Sequence, residues 1–307
     1  MSHLGHKKTP SFTSMAAAVR SAAAEPSAAQ GGPLPAPTLP QSPHSRGICC
    51  YGGVSIHKLG WPEMAPILCE WGMAGVETLH AHVAVLVIVD VLSFSTAVDV
   101  AASRGAIVYP FPFSEAQATQ LMADRVGAVV ARPRHKAEGK FSLSPASLTR
   151  IPSGAKLMLP SLNGGRFSVA AGRTPGRIPV LTGCLRNAAA VAVAARALAG
   201  DDAIGVVPAG ECWPDGSLRP AVEDFLGAGA VIDRLDGQCS PEAQIARDAY
   251  RSAGDDVARL IRLSTSGREL VDRGFSGDVD LAVELGISSS VPILVDGAYR
   301  AAVRVSS

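Results

Sequence analysis

Four apolar runs in this sequence each end in side chains suited to holding an anion against a metal ion. Asp90 closes the run 83–89 and is followed by Ser93, Ser95 and Thr96. Ser161, Asn163, Gly164 and Gly165 follow the run 155–159, and Arg186 and Asn187 follow 178–181. Glu211 follows 203–207, with Glu223 and Asp224 further on at the start of a helical stretch. Carboxylates, amides, hydroxyls and glycine amides in this set match a hard divalent cation such as magnesium, which takes oxygen ligands and leaves positions for phosphate oxygens. Backbone N–H groups at helix starts suit the same anion. Plainer roles exist for most of them. Ser95 and Thr96 can cap a helix, Asn163-Gly164 is a common turn dipeptide, and Glu223 and Asp224 favour a helix dipole. Asp90 is different: a carboxylate ending an apolar strand is costly to bury without a partner.

Several other chemistries fail on spacing. Asp90-Val91-Leu92 lacks the second acid of an aspartyl-phosphate loop, and six residues separate Cys212 from Arg219, one more than a cysteine-phosphatase loop has. No GxxxxGK[ST], GxSxG or GxGxxG pattern is present. His80 and His82 lack a third clustered ligand and read as surface histidines at a strand start. Cys184 and Cys212 are possible nucleophiles, but buried structural thiols are the commoner case.

The elements that must position these groups alternate. Strands are expected over 83–89, 106–109, 127–130, 155–159, 178–181 and 203–207. Helices are expected from N-cap residues within Ser93–Thr96 to about Ser103, from a Ser114 cap to Arg125, from Ala188 to about Leu198 and from about Pro220 to Arg234. Such βα units predict an α/β three-layer sandwich, a largely parallel or mixed sheet with helices on both faces. After Ser240 the pattern is helical to Leu285, and two short strands, 291–295 and 299–303, close the chain. The aperiodic stretch 131–151 reads as a working loop.

Composition bounds the rest. The 307 residues are 47% hydrophobic and 18% charged, with 28 Lys+Arg against 27 Asp+Glu, which argues against a nucleic-acid partner. No stretch has the roughly 18–20 apolar residues of a membrane span. The six cysteines form no CxxC pair, which points to a reducing, cytoplasmic setting. Residues 1–62 read as a disordered extension or an upstream start assignment, with Met64 or Met73 a more natural beginning, and 63–307 as the catalytic domain. A homo-oligomer is compatible with all of this.

From about Trp71 to Val303 the sequence resembles the 2-phosphosulfolactate phosphatase family. The resemblance rests on Val89-Asp90-Val91-Leu92-Ser93-Phe94-Ser95-Thr96, Asn163-Gly164, Gly183-Cys184-Leu185-Arg186-Asn187-Ala188 and Ala209-Gly210-Glu211. It continues through Glu223-Asp224-Phe225-Leu226-Gly227-Ala228-Gly229 and Ser266-Gly267-Arg268, with Gly274 and Asp278. It implies magnesium-dependent hydrolysis of a small anionic phosphate ester, 2-phosphosulfolactate, to sulfolactate and phosphate. On that footing Asp90, Glu223 and Asp224 are expected to hold the cation, and Ser95, Thr96 and the Gly164 and Gly165 amides to bind phosphate. Arg186 is expected to offset developing charge, Asn163 and Asn187 to orient ligands, and Glu211 to activate water. Departures concentrate at Ser93, where the family carries Arg, and at 132–139 and 143–145, where Arg132, Arg134, His135, Lys136 and Lys140 make a cation-rich replacement with Arg132 as a substrate contact. The rival readings are a phosphatase of another small phosphorylated acid and a non-catalytic binder of an anionic metabolite.

Overall fold

A computed structural model describes residues 66–112, 116–136, 141–174 and 178–302. The expectations for residues 1–62, Ser114, Lys140 and the end of the last strand lie outside them. The chain begins with β1 (Pro66–Cys69) and α1 (Gly72–His80), neither of which carries a periodic signal in the sequence. His80 is thus a buried residue at a helix end, not a surface histidine at a strand start. There follow β2 (Val85–Val89), α2 (Phe94–Ser103), β3 (Ile107–Pro112), α3 (Ala116–Val126) and β4 (Val129–Val130). The working-loop stretch holds a 3-10 turn at Arg134–Lys136 and the short helix α4 (Pro145–Leu148). Next come β5 (Lys156–Ser161), α5 (Gly164–Arg173), β6 (Val180–Gly183), α6 (Ala188–Ala199) and β7 (Ile204–Pro208). The loop expected at Glu211 is instead a hairpin, β8 (Glu211–Cys212) with β9 (Leu218–Arg219), leading into α7 (Val222–Ile232). The chain ends with β10 (Gln238–Cys239), α8 (Pro241–Ala253), α9 (Val257–Leu263), α10 (Thr265–Asp272), α11 (Ser276–Ala282), β11 (Pro292–Val295) and β12 (Ala298–Ala301).

One sheet of ten strands runs in the order β10-β1-β7-β2-β6-β11-β12-β3-β5-β4. Its first five strands are mutually parallel, as are the last three. The β11–β12 hairpin joins the two halves through antiparallel pairings at Ile293–Leu181 and Tyr299–Val108. Three antiparallel junctions in succession mean that β3, β4 and β5 run opposite to β2. The two terminal strands therefore lie inside the sheet.

Strand alternation divides the core. Val85, Val87 and Val89 pack on one face with residues of α6, α7 and α8, while Leu86 and Ile88 pack on the other against Val76, Leu79 and Phe167. A third cluster joins Phe94, Ala97 and Val98 of α2 to Val108, Leu157 and Tyr299. Each such fully buried side chain contributes roughly 1.5–3 kcal/mol relative to exposure. Small residues let α7 pack closely: a Cβ at Gly227 would lie 2.5 Å from Val91 Cγ2, and one at Gly229 would lie 2.2 Å from the Ala246 carbonyl oxygen. Among the described residues no helix is long and apolar enough to cross a membrane.

Candidate active site

The loop after β2 turns back on itself and places Asp90 at the floor of a cleft of about 1730 Å³. Ser95 makes this turn possible. Its hydroxyl accepts from Asp90 N at 2.8 Å and bonds Thr182 Oγ1 at 2.6 Å, while Thr96 Oγ1 donates to Val91 O at 2.8 Å. Both hydroxyls are fully buried and neither lines the cleft. The Asp90 carboxylate accepts from Phe94 N at 3.1 Å through Oδ1 and from Gly164 N at 2.9 Å through Oδ2. That second bond brings the end of β5, four places from β6 in the sheet and reversed in direction, back onto the end of β2. Gly164 has to be glycine here, because a Cβ would lie 2.4 Å from Phe94 Cδ1 and 2.8 Å from Asp90 Oδ2. Gly165, in the first turn of α5, is packed against the Phe111 carbonyl oxygen.

Three more acids surround Asp90. Asp224, in the first turn of α7, accepts from Val91 N at 2.7 Å and from Gly210 N at 2.8 Å, tying the loops after β2 and β7 together. Glu223 is equally buried, and no hydrogen bond to its carboxylate is made by the described residues. Glu211 lines the cleft and accepts from Asn163 Nδ2 at 2.9 Å. Burial raises the proton affinity of Asp90, which the Gly164 and Phe94 amides and Arg134 oppose and Glu223 reinforces. Burial, then the charges of Asp90 and Glu223, push Asp224 well above the usual carboxylate range. Burial and Asp90 push Glu211 up to about 7, against the Asn163 hydrogen bond and the Arg219 charge. Carboxylates that disfavour one another's ionisation in this way mark a place built for a compensating charge or for proton transfer. Among the described residues no three His, Cys, Asp or Glu side chains close on one point as ligands of a single ion. The donors are nevertheless all hard oxygens.

Basic side chains line the same cleft. They are Arg132, Arg134, His135, Arg219 and Arg273, with Arg219 over the Trp213 ring at 5.7 Å and bonded to Ser266 Oγ at 3.3 Å. Arg132 is exposed. The structure thus brings Asp90, Asn163, Gly164, Glu211, Glu223 and Asp224 together, and Arg132 lines the same cleft as Asp90, Asn163 and Glu211. It does not bring in Arg186 or Asn187. The Arg186 guanidinium binds Asp99 at 2.9 Å, Leu281 O at 3.2 Å and Glu284, away from the cleft. Asn187 is fully buried, accepting from Cys184 N at 2.8 Å and donating to Ser290 O at 3.3 Å. Cys184 is buried and its thiol is pushed up to about 12, which removes it as a nucleophile at neutral pH. Arg219, Arg273 and Trp213 join the cleft with no local motif to announce them. Ser93 stands out by its type and place after a strand, and for Arg134 the sequence signal is its place in a cation-rich loop that departs from the resembling pattern.

An open α/β sheet with an acid cluster and arginines in one cleft suits a phosphoric monoester hydrolase, and the relatives give that class. The family model described as 2-phosphosulpholactate phosphatase matches residues 75–297, and the chain belongs to that family. It is 33% identical over 215 residues to a 2-phosphosulfolactate phosphatase of Methanothermobacter thermautotrophicus, covering 69% of this chain and 87% of that protein. A probable 2-phosphosulfolactate phosphatase of Symbiobacterium thermophilum is 25% identical over 228 residues, 69% of this chain and 92% of its own. One from Pseudothermotoga lettingae is 31% identical over 80 residues, 26% of this chain and 36% of its own.

Proposed function

We propose that this chain hydrolyses 2-phosphosulfolactate to sulfolactate and phosphate with magnesium. The observation that carries the reading is the cleft in which the Asp90 and Glu211 carboxylates, with Glu223 and Asp224 buried close enough to act on them, meet several arginines. The donor chemistry fits magnesium, with Asp90, Glu223 and Asp224 as the residues that would hold it, directly or through water. When bound, the ion neutralises the acids and the charge of the transferring phosphoryl group.

The remaining chemistry belongs to side chains. Glu211, with a proton affinity near neutrality, takes the proton of the attacking water, and Asn163 Nδ2 fixes the orientation of its carboxylate. The water oxygen bonds to phosphorus as the ester P–O bond breaks, and the departing alkoxide takes a proton from solvent, to which Glu211 afterwards returns the one it accepted. Gly165 does not line the cleft, so its amide is not assigned to the phosphate oxygens. Gly164 N serves Asp90 instead, and the Ser95 and Thr96 hydroxyls hold the loop rather than the ligand. Arg132 and Arg219 offset the anionic charge of the substrate.

Phosphate release from racemic 2-phosphosulfolactate by the full chain, with magnesium and then with EDTA, tests the reading. Release that stops with EDTA supports it, and release indifferent to EDTA overturns the metal assignment. Turnover of another small phosphorylated acid in its place moves the substrate and keeps the chemistry. Anion binding without turnover identifies a binder.

A further inference from the structure

One arginine of the cleft is held far more firmly than its neighbours. Arg132, His135 and Lys136 are exposed, whereas the side chain of Arg134 keeps only 20% of its surface. Its Nε donates to Asp278 Oδ2 at 3.1 Å and its Nη2 to Ser93 Oγ at 2.6 Å, with Leu143 O at 3.5 Å. The guanidinium also lies 5.8 Å from the centre of the Phe275 ring. Asp278 is 1% exposed, and its second oxygen is fixed in turn by the Ser144 hydroxyl and by Ala146 N at 3.3 Å. One buried carboxylate on α11 therefore ties the 141–148 segment and the Arg134 turn into a single unit.

A buried ion pair is not favourable merely by being a pair, so its presence here calls for a reason beyond stability. Its geometric consequence is plain. The guanidinium plane is fixed by two bonds and a ring, Nη1 meets no acceptor among the described residues, and the whole group lines the cleft that contains Asp90. Arg134 is near enough to Asp90 to lower that acid's proton affinity. With Nε and Nη2 engaged, Nη1 remains as a fixed donor for one oxygen of a carboxylate or sulfonate, a direction that a mobile ammonium does not hold.

We propose that Arg134 is the specificity-determining contact for the acid group of the substrate that is not transferred, a carboxylate or sulfonate beside the phosphate-bearing carbon. Asp278 is the positioning residue that aims it. This rests on the phosphatase reading above. Arg134 and Asp90 line the same cleft, so a phosphoryl group held at Asp90 would leave the carboxylate or sulfonate of the same small molecule within the part of the cleft that Arg134 lines.

The experiment compares kcat/KM of the full chain on racemic 2-phosphosulfolactate and on isopropyl phosphate, an ester with no second acid. Arg134→Ala should reduce the preference for 2-phosphosulfolactate over isopropyl phosphate about tenfold or more, mainly through KM. Asp278→Asn should move the preference in the same direction by less. Arg134→Lys, which keeps the charge and perturbs folding least, should restore only part of it. A purely structural ion pair would lower both activities together and leave their ratio intact. An intact ratio in the Ala and Lys variants overturns the inference alone, whereas a wild-type protein inert toward both esters overturns the phosphatase reading and the inference with it.

Discussion

Glu211→Gln should make the metal-free protein more stable while removing its turnover. Burial and the neighbouring Asp90 charge raise Glu211 from 4.5 to about 7. At about 1.4 kcal/mol per unit, a shift of roughly 2.5 units corresponds to at most about 3 kcal/mol. Residual contact with water brings this to about 1–2 kcal/mol. The sign follows from linkage. Below the unfolded value of 4.5 both states carry the proton and nothing is lost. Between 4.5 and about 7 the folded state keeps a proton that the unfolded chain releases, so stability falls as pH rises, and the loss is complete above about 7. Glutamine removes the charge, retains similar volume and still offers an oxygen to Asn163 Nδ2. In EDTA at about pH 8 the variant should melt roughly 2–8 °C above the wild type. At about pH 4.5 the two should coincide, since both then hold a neutral group. Phosphate release with magnesium should drop by about 10²-fold or more. Scanning calorimetry at the two pH values decides the matter. A variant no more stable than wild type at the higher pH, or a gap that ignores pH, would refute the argument that this acid is strained by its neighbours.

Asp90→Asn should lower turnover by about 10²–10⁴-fold with the fold retained, read by steady-state assay beside circular dichroism; near-normal activity would remove Asp90 from the site. Magnesium binding near neutral pH should expel protons, because acids with raised proton affinity must ionise to meet the cation. Titration calorimetry in two buffers of different ionisation enthalpy reads this release, and heats independent of buffer would count against it. Gly229→Ala should destabilise the protein by about 1–3 kcal/mol in urea unfolding, because the added Cβ meets the backbone of α8 rather than a movable side-chain tip. An unchanged midpoint would mean the α7–α8 contact is looser than described.

Much of the fold was legible because its signals are local. The run ending at Val89 is apolar at every position, as a strand buried on both faces requires, and β2 lies within the stretch expected for it. The alternation from β2 to α7 follows the expected strands and helices closely. The exceptions have physical causes. β1 and β10 are too short to show a period, and the β8–β9 hairpin has two residues per strand. For the site, Asp90, Asn163, Glu211, Glu223 and Asp224 were chosen by residue type and place after strands, and the structure gathers them. Arg186 and Asn187 share that sequence signature. Their side chains point instead to Asp99 and Ser290, which no short-range rule connects to them.

The sequence by itself thus determined most of the strands and helices between β2 and α7, and that carboxylates would collect at strand ends, because periodicity and chain order are properties of neighbouring residues. Only the tertiary structure decided that the last two strands join two oppositely directed half-sheets, and that the turn after β5 reaches Asp90 across 74 residues of chain. It alone decided that Asp278 aims Arg134 from 144 residues away. Those arrangements depend on which buried donors and acceptors find each other once the core closes, and a hydrogen bond between distant residues leaves no trace in the spacing of either.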